Sequence, residues 1–278
     1  MNDLCITVRA LKRADYTKRC LDSLEKNTDL GCDFYFFQDG AVNKFSGFRY
    51  ATDNEIGKSL KVFRQSKLPN KIIKHSIKNV GGGIAKNIMF NDLFPKYKYV
   101  MMLDNDLVFN KYYIKTIKTL FKQFEGSNAG MLQTSYRHLT NTPIETKKFA
   151  KENENKVAWG FSHRWEQGFW RSSWKRIKPY FKPFADLTSS VDFMLVIKGG
   201  VEPIRKRIID IYGKLGDDNA LEVSAIKAGY KGLHTLALRH KTIGKEGQYT
   251  FHSWRWEAEN FNKVKVWDIG KGEKYVIS

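Results

Sequence analysis

Through its first half the chain alternates dense apolar runs with apolar residues at helical spacing. Leu4-Cys5-Ile6-Thr7-Val8 predicts a first strand, and behind Asp15, a suitable N-cap, Tyr16, Cys20, Leu21 and Leu24 recur at the intervals of an amphipathic helix. Phe34-Tyr35-Phe36-Phe37 predicts a second strand, stopped by the turn signal Asp39-Gly40. A weaker helix within 54–65 and a third strand over Ile72 to Ile77 follow. Gly81-Gly82-Gly83 then opens a helix whose inner face carries Ile84, Ala85, Ile88 and Met89. Tyr99-Val100-Met101-Met102-Leu103 reads as a buried strand, with the apolar Leu107-Val108-Phe109 shortly after it. Tyr113, Ile114, Ile117, Leu120, Phe121 and Phe124 mark a strongly amphipathic helix. Four strand-helix units in succession predict a mainly parallel sheet with helices on both faces. In such a sheet ligands bind at the carboxyl ends of the strands, where Asp39, the Gly81 loop and Asp104 all fall.

Beyond Gly126 the texture becomes α+β. Met131 to Tyr136 predicts a strand, Thr140 to Glu154 a polar loop, Val191 to Ile197 a strand, Ile204 to Tyr212 and Asp218 to Ala228 helices, and Leu233 to Leu238 a last strand. No Pro/Gly linker separates the halves, so the expectation is one domain over 1–278, with parts 1–125 and 126–242 and a C-terminal extension 243–278.

Composition agrees with a folded globule: 278 residues, 42% hydrophobic and 14% aromatic. No stretch approaches the roughly 18 consecutive apolar residues of a membrane span. The start Met1-Asn2-Asp3-Leu4-Cys5 lacks a basic region followed by an apolar one. A cytoplasmic protein is expected, in a host cell's cytoplasm if the gene is viral. Cys5, Cys20 and Cys32 are odd in number and lack metal-ligand spacing, which predicts reduced thiols. The net charge of +19, from 48 Lys and Arg against 29 Asp and Glu, implies attraction to something anionic: nucleic acid, an acidic glycan, a lipid surface or a phosphorylated donor.

Asp104-Asn105-Asp106 is the first candidate site, because two carboxylates at the mouth of a buried strand are costly unless a cation answers them. Mg²⁺ or Mn²⁺, shared with substrate phosphates, would do so; a capped turn is the alternative. Gly81-Gly82-Gly83 lacks the Lys-Ser/Thr ending of a phosphate-binding P-loop, and no strand-anchored G-x-G-x-x-G is present. Lys86, one turn into the helix, would meet a phosphate or lie on the surface. Trp159, Phe161, Trp165, Phe169, Trp170 and Trp174 are interleaved with Arg164, Arg171, Lys175, Arg176, Lys178 and Lys182. Such aromatics stack on sugars or bases beside phosphate-binding cations, or they pack a core.

The order of motifs resembles the nucleotide-sugar glycosyltransferases of GT-A fold, particularly family 2. Ile6-Thr7-Val8-Arg9-Ala10 and Tyr16-Thr17-Lys18-Arg19-Cys20-Leu21-Asp22-Ser23-Leu24 are similar to that family's first strand and helix. Phe37-Gln38-Asp39-Gly40 resembles its second-strand carboxylate, and Asn79-Val80-Gly81-Gly82-Gly83-Ile84-Ala85-Lys86-Asn87 its glycine loop. Asp104-Asn105-Asp106 stands where the family's DxD triplet stands. Gly216-Asp217-Asp218-Asn219-Ala220-Leu221 resembles its acidic pair at a helix start, and His240 matches its late metal-ligating His. Asp217 departs from the usual Glu, and 140–185 has no counterpart in the pattern.

The resemblance implies a GT-A (Rossmann-like) α/β fold: a mixed, mainly parallel sheet with helices on both faces, a nucleotide-sugar-binding half at 1–125 and an acceptor half at 126–242. It implies Mn²⁺ or Mg²⁺ on Asp104, Asp106 and His240, with His252 the other candidate histidine; Trp254-Arg255-Trp256 resembles the Arg-Trp motif of processive members, but without transmembrane helices a processive membrane synthase is not expected. It also implies a UDP-sugar donor contacted by Asp39, Gly81, Gly82, Lys86 and Asp104, and Asp218, with Asp217 beside it, as the base of an inverting transfer. Helix capping by the two acids is the alternative. The charge and the aromatic-basic segment make hydroxymethylated DNA one expected acceptor, and a cell-surface or lipid-linked glycan the other. A non-catalytic nucleic-acid-binding protein with this fold is the reading of another class.

Overall fold

The computed structural model describes residues 2–135, 145–162, 165–244, 264–270 and 274–278. Strand β1 (Leu4–Ala10) sends Leu4, Ile6 and Val8 to one face and Cys5 to the other, so its apolar run serves two cores. The same division continues in β2 (Asp33–Gln38) and β4 (Tyr99–Asp104). Helices α1 (Ala14–Glu25), α2 (Asp53–Gln65) and α4 (Tyr113–Gln123) pack on the first face. On the second lie α3 (Gly82–Leu93), α6 (Arg171–Thr188), α8 (Glu202–Tyr212) and α9 (Asp217–Lys227).

Among the described residues the remaining strands are β3 (Lys71–His75), β5 (Leu107–Phe109), β6 (Ala129–Gln133), β7 (Lys156–Trp159), β8 (Glu166–Trp170), β9 (Lys231–Thr235), β10 (His240–Thr242) and β11 (Val276–Ile277). The main sheet runs β11-β7-β9-β6-β8-β4-β1-β2-β3, and β10 pairs with β5 in a separate ribbon. Strands β3, β2, β1 and β4 are mutually parallel; β8 enters antiparallel between β4 and β6, and β9 returns parallel to β6. The expected mixed, mainly parallel sheet covered on both faces is therefore present.

Several local expectations are corrected. Val191 to Ile197 is not a strand: Asp192 accepts from the Met194 amide at 3.0 Å and caps a short helix, α7 (Phe193–Ile197). A brief apolar run does not distinguish strand from buried helix, and the capping acid decides here. Within the supposed polar loop of 140–154, Thr146 caps α5 (Lys147–Glu152), accepting from the Phe149 amide at 3.1 Å. The N-cap of α1 is Arg13, in the left-handed region at φ 69°, and Asp15 lies in the first turn. The helix within 54–65 proves firmly started, by a Thr52/Glu55 capping box.

The aromatic-basic segment, given no element from the sequence, contains α6, which runs through Pro179 and Pro183. A proline removes one ladder donor and crowds the preceding turn. Here Tyr212 of α8 repairs the ladder: its hydroxyl donates to the Tyr180 carbonyl at 2.8 Å and accepts from the Phe184 amide at 3.1 Å. Removing that hydroxyl in Tyr212→Phe strands a buried donor and acceptor at once. Urea denaturation should show a loss of about 1–3 kcal/mol, and an unchanged midpoint would refute the repair.

Candidate functional site

Strand register builds the centre of the site. Arg9 of β1 lies beside Asp104 of β4, and its guanidinium reaches the Asp104 carboxylate at 3.5 Å. The other arm of Arg9 meets Asp217 at 3.5 Å. Arg13, projected from its left-handed N-cap, contacts Asp106 at 3.1 Å and the Asn105 side-chain oxygen at 3.1 Å. Asn105 also donates to the Thr17 hydroxyl at 2.8 Å, so the triplet's turn is pinned to α1. Burial pushes the Asp104 carboxyl up to about 7 against the pull of Arg9, although 34% of its side-chain surface stays open to the cleft.

Asp39 organises the glycine loop. Its Oδ1 accepts from the amides of Gly40 at 2.9 Å and Val80 at 3.0 Å, and its Oδ2 from Asn79 Nδ2 at 3.0 Å and the Gly81 amide at 3.2 Å. Four donors use the acceptor capacity of one carboxylate. Burial nonetheless raises its pKa to about 6, with the amides and Arg9 opposing. Gly81 holds φ 77°, and a Cβ on Gly82 would sit 2.7 Å from both the Arg9 guanidinium and the Asp217 carboxylate. The loop's lack of side chains is what lets α3 begin over that ion pair.

Asp217 and Asp218 open α9, where the helix dipole favours negative charge. Lys86, 1% exposed, sends its ammonium to Asp217 at 3.0 Å, to Asp218 in closer contact, and to Gln167 at 3.5 Å. Burial works against charge on Asp217, but Lys86 and Arg9 outweigh it and hold that carboxyl down at about 2. In Asp218 burial prevails over the pull of Lys86, and repulsion from Asp217 adds to it, so its pKa is raised. Burial lowers the Lys86 pKa less than the two acids raise it, so Lys86 stays charged. The pair thus divides into a permanent anion and a carboxylate better suited to take a proton.

His240 begins β10 opposite Phe109 of β5, a short chain distance from Asp106. Its Nδ1 lies 3.2 Å from the Ser135 hydroxyl, 3.4 Å from Thr134 and 3.5 Å from Glu166. Burial lowers its pKa to about 3, so the ring is neutral and the Glu166 contact is not an ion pair. Among the described residues no group of three or more His, Cys, Asp or Glu side chains converges as a metal-ligand set. Asp104 and Asp106 supply hard oxygen donors in the number that Mg²⁺ uses beside water and phosphate. They suit such an ion, and His240 is held through Nδ1 by residues at the ends of β6 and β8.

The structure brings together Asp104, Asp217, Asp218 and Lys86, all marked in the sequence, and places Asp39, Gly81 and Gly82 beside them. Arg9, Arg13 and Gln167 were not singled out, because an Arg at a strand end or helix start reads as surface. Gly244 was missed too, although a Cβ there would press into the Asp106 carboxylate. Of the aromatic segment, Phe169, Trp170 and Trp174 are core residues, while Trp159, Phe161 and Trp165 are half-buried against it. Trp254-Arg255-Trp256, His252 and Arg164 lie outside the described residues.

No family model matches the chain. No curated protein matches it either. Among solved structures, S. aureus TarS 1–349 is similar over 88% of this chain and 61% of its own, at 12% identity and a TM-score of 0.49. S. aureus TarS matches over 68% of this chain and 33% of its own, at 15% identity and a TM-score of 0.44. TarS 1–349 in complex with UDP-GlcNAc matches over 68% and 54%, at 12% identity and a TM-score of 0.44. The chain therefore spans less than two thirds of the length of each.

Two outcomes test the electrostatic assignment. Lys86→Met leaves two buried acids without their counter-ion and should cost about 3–5 kcal/mol of stability, partly restored by adding Asp217→Asn; no loss at neutral pH would refute the pairing. The stabilisation from Asp217 is fully present above its ordinary value of 3.8 and is lost as pH falls toward about 2. Asp39→Asn turns an acceptor into a donor facing amides. Amide exchange at Val80 and Gly81 should accelerate, with about 1–3 kcal/mol lost; unchanged exchange would remove Asp39 as the loop's anchor.

Proposed function

We propose that the chain is a nucleotide-sugar glycosyltransferase of the GT-A kind, moving a sugar from a UDP-sugar to an acceptor hydroxyl with inversion. The observation that carries this reading is the convergence of the triplet 104–106 and the acid pair 217–218 at the strand carboxyl ends, joined by Arg9 and Lys86. Sugar transfer needs these two tasks at one place: neutralising a leaving diphosphate and deprotonating an acceptor. Asp218 is the base, its raised pKa bringing it nearer the working range, while Asp217 keeps Lys86 and Arg9 in position.

Asp104 and Asp106 would hold Mn²⁺ or Mg²⁺, which supplies Lewis-acid stabilisation of the diphosphate when bound. His240 contacts Ser135 and Thr134 through Nδ1, which would hold the ring while Nε2 served as the third ligand. Arg9 and Arg13 contact the same carboxylates and become available to donor phosphates when those carboxylates are otherwise engaged. The glycine loop held by Asp39 gives the donor a close backbone surface.

For the acceptor, the exposed cations of α6 favour hydroxymethylated DNA over an uncharged glycan. Among the described residues no helix is long and apolar enough to cross a membrane.

Donor hydrolysis with Mn²⁺ across several nucleotide sugars tests the activity. Asp106→Ala should abolish nucleotide release, and release at the wild-type rate would refute the metal assignment. Asp218→Asn should retain UDP binding and lower transfer by about 10²–10⁴-fold. Transfer of labelled sugar to hydroxymethylated but not unmodified duplex identifies the DNA acceptor; incorporation into neither, with several donors tried, excludes it.

A further inference from the structure

Helix α6 carries its aromatic residues inward and its cations outward. Ser173, Trp174, Ile177, Phe181 and Phe184 are buried, whereas Arg171, Lys175, Lys178 and Lys182 are exposed. Spacings of four, three and four residues place these cations on one face, in a line roughly 16 Å long at 1.5 Å per residue. Lys182 pairs with Asp186, and Lys178 donates to the Asn91 side chain at 2.9 Å. Among the described residues no carboxylate pairs with Arg171, Lys175 or Lys178. Lys96 and Lys98, also exposed, flank the start of the helix, where Lys98 pairs with Asp3 at 3.5 Å, the Arg171 amide donates to the Lys98 carbonyl at 2.7 Å and the Arg171 Nε to the Tyr97 carbonyl at 3.0 Å.

The line has a direction relative to the site. Trp170, just before α6, pairs with Tyr99 at the amino end of β4, so the helix starts at the end of the sheet remote from the cleft. Its far end reaches the cleft: the Phe184 ring lies against Gly83, one turn before Lys86 on α3. The cations therefore run from the base of the sheet toward the acid pair. The amphipathic helix on the opposite sheet face, α4, differs in exposure: Lys115 and Lys118, and Lys111 just before it, are half-buried, with Lys118 paired to Asp29 at 2.8 Å and Lys111 to Asp268 at 4.0 Å.

We propose that the solvent face of α6 is a docking track for the phosphate backbone of duplex DNA, leading the acceptor toward Asp218. This rests on the reading of the protein as a DNA-modifying transferase. One strand of a duplex presents a phosphate every ~3.4 Å of axis, so the line of cations is as long as roughly five phosphates of one strand. Phe169, Trp170 and Trp174 are buried and offer no stacking surface, so the contact argued for α6 is with the phosphate backbone through its exposed cations.

The test is duplex affinity by fluorescence anisotropy as a function of salt, in the full chain. A triple variant, Arg171→Gln with Lys175→Gln and Lys178→Gln, is compared with an equal charge loss at α4, Lys111→Gln with Lys115→Gln and Lys122→Gln. The α6 variant should bind about tenfold or more weakly at low salt and lose about 2–3 from the slope of log K against log salt. The α4 variant should change little. Equal losses in the two variants overturn the track in favour of diffuse charge, as does no loss in either. Failure of the wild type to bind duplex overturns it, and so does α6-dependent binding to phosphatidylglycerol vesicles without α6-dependent binding to duplex. Donor hydrolysis should be unchanged in both variants. Wild type that hydrolyses no donor yet binds duplex through α6 upholds the track and overturns the transferase reading.

Discussion

An alternating line of charges organises this protein: Asp104, Arg9, Asp217, Lys86 and Asp218, each touching the next. It joins the triplet on β4 to the acid pair on α9 through one residue of β1 and one of α3. Isolated charges in such a place would cost several kcal/mol each, and none would be tolerated without its neighbours. The line therefore requires the strand register that sets Arg9 beside Asp104, the glycine loop that lets α3 start over Asp217, and the antiparallel β8 that places Gln167 against Lys86. The unequal places of its two adjacent acids also have a chemical meaning. Asp217 is flanked by two cations and stays ionised, while Asp218 meets one and is raised.

Much of this was legible in the sequence, for identifiable reasons. The first four strand-helix units were visible because their apolar residues change period from run to helix, and the sheet does have both faces covered. Asp104 stood out as a charge at the edge of an apolar run and Lys86 by its place one turn into the helix after the glycines, whereas Asp217 and Asp218 were marked by the resemblance. Arg9 and Arg13 did not stand out, since their meaning depends on strand register and on a left-handed helix cap, neither of which has a local signature. Lys86 was weighed only as a phosphate ligand or a surface residue. Its burial against two acids comes from α9, over a hundred residues away in the chain.

The second half was harder to read because its signals conflict. Two prolines lie inside the long α6, and a hydroxyl from Tyr212 repairs its ladder across helices. The apolar run before Lys198 looked like a strand until Asp192 was seen to cap it as α7. The aromatic-basic segment mixed two roles that a helix separates by face: aromatics pack against α3 and α9, and cations meet solvent.

The charge line is the central claim, and carboxyl titration by ¹³C NMR tests it most directly. With Asp side chains labelled, Asp217 should remain ionised down to about pH 2 while Asp218 titrates above the ordinary carboxylate value of 3.8. Replacing Lys86 by Met should release Asp217 upward. If instead the two acids titrate together near 3.8, and the Lys86 variant leaves both unmoved, the alternating line does not exist in solution and the division of labour between them fails.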